Sequence, residues 1–196
     1  MTADGQLKNV SLASCLLPSE KKMIGIVVPA HDEAAEIVEC LTCIQRCAQH
    51  PRLQGEVVEV VVVADVCTDE TLSLAAQQGA VTLEIHARNV GRARAAGAQL
   101  MLDKGARWLA FTDADTLVSE GWLVEQIALE ADAVCGTVAV EDWTPHGEHA
   151  DLVRWHFRQT YKTSTNIGTC TAPIWASAPW RTDARVVSRT LRAARM

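Results

Sequence analysis

The chain of 196 residues lacks the sequence features of secreted, membrane-spanning and nucleic-acid-binding proteins. Its N-terminus has neither the basic start nor the uninterrupted apolar stretch of a signal peptide. Its most apolar run, VVEVVVVA, is too short to span a bilayer. A formal net charge of −6 argues against a nucleic-acid or anionic-membrane surface. These absences predict a cytoplasmic protein with no membrane span, no nucleic-acid partner and a small-molecule ligand.

The seven cysteines are an odd number in a chain without a secretory signal, so we expect reduced thiols and no disulfide framework. Cys40, Cys43 and Cys47 lie at i, i+3 and i+7, on one face of a predicted helix. This spacing leaves two interpretations, a metal or redox site and core packing. Core packing is favoured because Ile37 and Ile44 continue the same apolar face and Cys packs as a small apolar residue. The histidines show no spacing typical of a metal site.

Apolar runs alternate with helical patterns along most of the chain. The predicted strands are MIGIVVPA, VVEVVVVA, VTLEIHA and WLAFTDAD, at 23–30, 57–64, 81–87 and 108–115. Helices are predicted over 34–49, before Gly79 and before Gly105, and a helix, a strand and a helix follow over 119–130, 131–143 and 149–162. This order predicts an α/β fold, a Rossmann-like and mostly parallel sheet with helices on both faces. In such a sheet VVEVVVVA should be buried throughout.

Polar segments follow the four predicted strands, and parallel strands bring such segments to one edge of the sheet. The segments are PAHDE, DVCTD, HARNVGRAR and TDAD. Asp113 and Asp115 in TDAD are carboxylates two residues apart, which are ligands that Mg²⁺ or Mn²⁺ prefers. Each segment alone has a plainer interpretation: Asp65 and Asp69 as turn or cap residues, Asn89 as a helix cap, the arginines as a solvated face. Their joint occurrence favours a ligand site.

Taken in order, IVVPAHDEA, VVVADVCTDET, NVGRARAAGA and FTDAD resemble the inverting glycosyltransferases of family 2, which have the GT-A fold. The resemblance covers residues 23 to 162. It implies an enzyme that transfers a sugar from a UDP- or GDP-sugar to an acceptor hydroxyl with inversion, assisted by Mg²⁺ or Mn²⁺. Two other possibilities stay open. One is a catalytically inactive protein that binds a nucleotide diphosphate; the other, disfavoured by the lack of a Gly-rich phosphate loop with a following Lys, is a sugar-1-phosphate nucleotidyltransferase.

The resemblance also implies roles for the acidic residues. Asp115 is the implied metal ligand, and Asp113 would lie near the ribose and a metal-bound water. Ala114 between them is small enough for backbone contact. Asp65 would accept a hydrogen bond from the edge of the base; where the family often has a second Asp before it, this chain has Ala64.

The remaining donor-site residues implied by the resemblance lie in the first and third loops. Those in the first loop, which would wall the nucleotide, are Pro29, Ala30 and Glu33. In the third loop Arg88 and Arg94 flank Gly91, and a glycine beside guanidinium groups suits close approach to base, ribose or phosphate. Trp143, Trp155 and Tyr161 fall where the family binds or borders the acceptor, with core packing as the alternative.

The C-terminal segment departs from the family pattern. Residues 163–196 lack the expected segment of the form HxHGANLGVRxxAYxxxGGF and show no clear strand or helix period. If the last base of each codon is joined to the first two of the next, Thr171 to Trp175 permits G-A-N-L, and the continuation to Ser188 permits G-V-R, A-Y and G-G-F-P. We therefore predict a flexible leader at 1–22, a nucleotide-sugar-binding domain at 23–162, incomplete at its C-terminus, and an out-of-frame tail at 163–196. No residue matches the family's general base; Glu141 and Asp142 are acceptor-side candidates, with a strand-end turn favoured for both.

Overall fold

The computed structural model describes residues 23–136, 140, 143–160, 175–177 and 186–188. The predicted leader and the candidate residues Glu141, Asp142 and Tyr161 lie outside these residues. In the part of the chain that is described, no helix is long and apolar enough to cross a membrane.

Within the described residues, seven strands form one sheet in the order β3-β2-β1-β4-β6-β5-β7. Their bounds are β1 Met23–Ala30, β2 Val57–Asp65, β3 Val81–Ile85, β4 Ala106–Phe111, β5 Ala133–Cys135, β6 Trp175–Ser177 and β7 Val186–Ser188. Strand β1 runs parallel to β2 and β4, and β3 runs parallel to β2. Strand β6 is antiparallel to both β4 and β5, while β7 is parallel to β5. The predicted α/β fold with a mostly parallel sheet is confirmed.

In the part of the chain that the structure describes, five α-helices connect or follow these strands. They are α1 Ile37–Ala48, α2 Thr71–Gln77, α3 Val90–Asp103, α4 Trp122–Ile127 and α5 Ala150–Thr160. Short 3-10 helices lie at Pro51–Leu53 and Thr144–His149. The connections of β1 to β2, β2 to β3 and β3 to β4 each contain one of the first three α-helices, as crossovers between parallel strands of one sheet require.

Helices cover both faces of the sheet and bury two apolar clusters. Alternate residues of β1 face opposite sides: Ile24, Ile26 and Val28 join the cluster under α1 and α4, while Val27 joins the cluster under α3. Helix α1 contributes its cysteine-bearing face to the first cluster, where Cys40 and Cys47 are fully buried and Cys43 packs beside them. Burial raises the pKa of the Cys40 thiol to about 12 and that of Cys47 to about 11. These cysteines are core residues, as predicted.

Two sequence predictions about strands need correction. Strand β2 is buried only in its second half, and Val57 at its start is 44% exposed. The reason is the register: β3 pairs only with Val61–Asp65, so no strand among the described residues pairs with the first residues of β2 on that side. Strand β4 ends at Phe111, so Asp113 and Asp115 lie in the turn after the strand.

Strands β6 and β7 fall inside the segment predicted to be out of frame. This segment showed no clear strand period in its sequence, yet both strands pair with β5. Whether the segment is translated out of frame stays a prediction, and the codons for residues 171–188 test it directly.

Candidate functional site

A cavity of about 860 Å³ lies at the carboxyl ends of β1, β2 and β4, where the polar loops meet. It is lined by nine of the ten residues that the sequence predicted for a nucleotide-sugar site: Pro29, Ala30, Glu33, Asp65, Arg88, Arg94, Asp113, Ala114 and Asp115. Gly91, the tenth, is not among the lining residues. It lies in the first turn of α3, where an added Cβ would come within 3.1 Å of the Asn89 side-chain oxygen.

Sequence reasoning missed several residues of the same wall. They are His31, Asp32, Val66, Thr68, Val90 and Ala93, with Asn89 expected only as a cap. The Asn89 side chain does accept a hydrogen bond from the backbone N–H of Arg92 at 3.0 Å, so its predicted role as the N-cap of α3 is confirmed. His31 and Asp32 belong to the PAHDE segment, and the density of polar residues in that segment was the signal that could have found them.

The loops after β1 and β2 are joined by reciprocal hydrogen bonds. The Asp32 carboxylate accepts from the backbone N–H of Thr68 at 2.6 Å and of Asp69 at 3.3 Å. In return the Asp69 carboxylate accepts from the N–H of Ala34 at 3.0 Å. The Thr71 hydroxyl accepts from the N–H of Glu33 at 2.8 Å and donates to Asp69 at 2.5 Å. This set of contacts, which we call the loop clasp, holds the first two loops in one arrangement.

The atoms of the loop clasp also bring three potential metal ligands together. The side chains of Asp32, Cys67 and Asp69 each offer a ligand atom, and these atoms lie within 4.8 Å of one another. Both carboxylates, however, already accept backbone N–H groups. The hydrogen bond from the Thr71 hydroxyl, followed by those from the backbone, lowers the pKa of the Asp69 carboxyl. The cluster is therefore explained by loop structure.

Asp65 connects the second loop to the third. Its carboxylate accepts from the backbone N–H groups of Ala87, Arg88 and Asn89 at 2.7, 2.8 and 2.6 Å. Its carbonyl oxygen is 2.7 Å from Nδ1 of His31. Burial acts to raise the pKa of the Asp65 carboxyl, but the N–H groups of Asn89, Arg88 and Ala87 outweigh it and hold that pKa below its ordinary value. Asp65 thus fixes the course of the third loop besides lining the cavity.

The loops after β1, β2 and β3 each contain a non-glycine residue in the left-handed region, and all three residues line the cavity. They are Asp32 at φ 57°, Val66 at φ 62° and Arg88 at φ 46°. Asp tolerates this conformation because its short side chain hydrogen-bonds locally, whereas a β-branched residue such as Val pays a steric cost there. The Val66 N–H is held by the carbonyl of Ile85 at 3.0 Å. Such concentration of strained backbone is typical of functional sites.

The carboxylates of Asp113 and Asp115 differ in their surroundings. Asp113 Oδ1 accepts from Nη2 of Arg94 at 2.5 Å, and both side chains are about one-quarter exposed, at 28% and 23%. Asp115 is exposed at the cavity wall, and its side chain contacts the Thr116 hydroxyl at 3.3 Å. Burial, followed by the charge of Asp115, raises the pKa of the Glu33 carboxyl. Asp115 is therefore the more exposed carboxylate of the pair.

The aromatic residues predicted near the acceptor side separate into two groups. Trp143 packs edge-on against Phe157 with ring centroids 5.4 Å apart, a contact between the segment before α5 and the helix itself. Trp155 is 59% exposed, so it is not a core residue.

Comparisons with known proteins show the fold and the family of the chain. A search of curated proteins found no match. Solved structures are similar at low identity: TarS 1-349 of S. aureus is 20% identical, with 62% of this chain and 36% of that chain covered and a TM-score of 0.51. Glucosyl-3-phosphoglycerate synthase from Mycobacterium tuberculosis, in complex with phosphoglyceric acid, is 18% identical, with coverage of 80% and 57% and a TM-score of 0.54. The same enzyme in complex with Mn²⁺ and uridine-diphosphate-glucose is 18% identical, with 80% of this chain and 56% of that chain covered and a TM-score of 0.54.

The chain thus spans between about one-third and three-fifths of the length of these structures, and the likeness shows the GT-A fold. The sequence model of one family, described as glycosyl transferase family 2, matches residues 25–177. This match covers most of the chain and includes every residue that lines the cavity. The chain belongs to glycosyl transferase family 2.

Proposed function

We propose that the cavity binds a nucleotide-diphosphate sugar and that the protein transfers the sugar to an acceptor hydroxyl with inversion. The observation that carries the proposal is that nine residues chosen from four separate sequence segments line one cavity. Its volume of about 860 Å³ is within the usual range for small-molecule sites. One structure of similar fold is a complex with uridine-diphosphate-glucose, which supports a donor of this class.

The carboxylate oxygens of Asp115 suit a hard divalent cation as ligands. Asp115 is open to the cavity, and the charge of its carboxylate reaches Glu33, whose pKa is raised by burial first and by Asp115 second. Carboxylate oxygens are ligands for Mg²⁺ and Mn²⁺, and one structure of similar fold contains Mn²⁺. We assign Asp115 as the metal ligand, with Asp113 beside it. A bound cation would offset the charge that develops on the diphosphate as the glycosyl bond breaks.

The other loops would position the nucleotide. A carboxylate has about four lone-pair sites. Three backbone N–H groups occupy sites on Asp65, so its carboxylate has room for one further donor from the edge of a base. Arg88 is exposed at the wall of the cavity and makes no ion pair among the described residues, which leaves its guanidinium for the ribose or a phosphate. The loop clasp would keep the wall formed by Pro29 and Ala30 in place before the ligand arrives.

Transfer with inversion also needs a carboxylate that deprotonates the acceptor hydroxyl as it attacks the anomeric carbon. We assign this role to no described residue, so the proposal concerns the donor half of the reaction. A protein that binds the donor without transferring its sugar is the alternative that the experiment must separate.

Thermal unfolding with nucleotides tests the donor site. UDP or GDP with Mn²⁺, at about 100 times its dissociation constant, would add about 2.7 kcal/mol to the free energy of unfolding. This corresponds to a rise of about 5 to 10 °C in Tm for a domain of this size. Asp115→Ala should remove the Mn²⁺-dependent part of the shift, whereas Asp103→Ala, a matched change at the exposed far end of α3, should keep it.

Two results would decide against the proposal. Absence of any shift with either nucleotide would refute the donor site, and an unchanged shift in Asp115→Ala would refute the metal assignment. Measurement of donor turnover then separates a transferase, which releases the nucleotide diphosphate with time, from a protein that only binds.

A further inference from the structure

Arg94 and Asp113 form an ion pair in the wall of the cavity, although they come from different elements. Arg94 lies in the second turn of α3, and Asp113 lies in the turn after β4. Nη2 of Arg94 is 2.5 Å from Oδ1 of Asp113. Helix α3 is fixed against β1 and β2 through the buried residues Ala93 and Gly97, so the base of the Arg94 side chain is held by the core.

The guanidinium of Arg94 has two possible uses in a donor site. It could leave Asp113 and bind the diphosphate, or it could stay on Asp113 and fix that carboxylate. The charge around the cavity distinguishes them: five carboxylates line the cavity, against the two guanidiniums of Arg88 and Arg94. If Arg94 left Asp113, a partly buried carboxylate would lose its partner beside Asp115, which is unfavourable.

The surroundings of Arg94 also favour a fixed role. Its Nε is buried and has no acceptor among the described residues, so this side of the guanidinium is enclosed by the wall of the cavity. Arg88, in contrast, is exposed and belongs to the loop that Asp65 holds. Arg88 is therefore the guanidinium with freedom to approach a phosphate.

We propose that Arg94 is a positioning residue that acts through Asp113. It holds the Asp113 carboxylate in one orientation toward the nucleoside part of the donor, while a cation at Asp115 and the guanidinium of Arg88 bind the diphosphate. This inference rests on the proposed function, because it assigns separate roles in donor binding to the charged residues of the cavity.

A double-mutant cycle with two ligands tests this division. The variants are Arg94→Gln, Asp113→Asn and the double variant, and the ligands are UDP with Mn²⁺ and uridine alone, measured by calorimetry. If Arg94 acts through Asp113, Arg94→Gln should weaken both ligands by a similar factor, about tenfold, and should have no further effect when Asp113 is already Asn. Arg92→Gln, an exposed neighbour on the same helix that does not line the cavity, is the matched control.

A direct phosphate contact would give the opposite pattern. Arg94→Gln would then weaken UDP but not uridine, and it would do so equally in the Asp113→Asn background; either result overturns the inference. Arg94→Lys, which keeps the charge, serves if Arg94→Gln unfolds.

The same cycle in thermal unfolding separates failure of this inference from failure of the proposed function. If the wild-type protein binds neither UDP nor GDP, the proposed function fails. The melting temperatures of the four proteins report separately on the ion pair: non-additive losses show that Arg94 and Asp113 are coupled, and additive losses overturn the positioning claim.

Discussion

Helix α3 packs closely against the sheet at Gly97, and replacement of this residue by Ala gives a prediction with a defined sign. A Cβ added at Gly97 would lie 2.5 Å from Cγ1 of Val27, 2.8 Å from Cγ2 of Val63 and 3.3 Å from Cγ1 of Val61. The first two distances are shorter than real Cβ contacts allow. Because these valines come from the buried centre of β1 and β2, the helix itself must move away from the sheet.

The magnitude follows from two opposing effects. Ala is favoured over Gly in a helix interior by about 0.8 to 1.0 kcal/mol. Forcing an additional methyl group into a packed core costs about 1 to 3 kcal/mol, and two contacts below 3.0 Å place Gly97→Ala in the upper part of that range. We expect a net loss of about 1 to 2 kcal/mol in the free energy of unfolding, or about 2 to 8 °C in Tm. Helix α3 also carries Arg94, so nucleotide affinity should fall as well.

The assay is urea unfolding, with Ala95→Gly as the matched control on the exposed side of the same helix. That reverse change measures the helix propensity alone and should destabilise by about 1 kcal/mol. If propensity governed both sites, Gly97→Ala would stabilise by a similar amount. A stabilised Gly97→Ala protein would therefore refute the close packing of α3 on the sheet.

Three further predictions concern thiols, protonation and burial. In the native protein at pH 8, a thiol reagent should modify the partly exposed Cys67 well before Cys47, because burial raises the pKa of the Cys47 thiol to about 11. Peptide mapping by mass spectrometry measures the order of modification. Early modification of Cys47 would contradict its core position. Burial, followed by the charge of Asp115, raises the pKa of the Glu33 carboxyl in the folded protein. The stability that Glu33 contributes is therefore complete below pH 4.5, the pKa of this carboxyl in the unfolded chain, and is lost as the pH rises through its pKa in the folded protein. Glu33→Gln should therefore reduce the loss of stability that urea unfolding detects between pH 4 and 7, and an unchanged pH profile would contradict the burial of Glu33. Trp122 is 2% exposed, and Trp122→Ala should reduce the free energy of unfolding by about 3 to 5 kcal/mol. Trp155 is 59% exposed, and Trp155→Ala should reduce it by less than about 0.5 kcal/mol. Similar reductions in the two variants, measured by urea unfolding, would contradict the placement of both residues.

The parallel sheet was predictable because its strands are marked by local signals. The run from Met23 to Ala30 is apolar at nearly every position, and the strand has those bounds and is buried along its whole length. The extent of burial in β2 was not predictable, because it depends on where the neighbouring strand starts. Since β3 pairs only from Val61 onward, the first half of an equally apolar strand is partly exposed.

The candidate site was predictable to the level of loops and less so to the level of contacts. The topology brings the ends of parallel strands together, and residues as far apart as Pro29 and Asp115 line one cavity, as this topology leads us to expect. The sequence carries no local signal for the hydrogen bond from Thr68 to Asp32, which joins residues 36 positions apart. For the same reason the ion pair between Arg94 and Asp113 was not foreseen, although both residues had been assigned to the site.

The unpredicted contacts explain how the cavity keeps its shape. A left-handed Val66 is unfavourable by about 1 to 3 kcal/mol, so the second loop would relax if only local forces acted on it. The neighbouring residues oppose that relaxation: Asp65 is bound by three N–H groups of the third loop, and Thr68 is bound by Asp32 of the first. Each loop is thus held by side chains from another loop, and the strain at Val66 is offset by contacts on both sides. A wall built in this way is formed before any ligand binds, which reduces the entropy that a ligand would lose by ordering it.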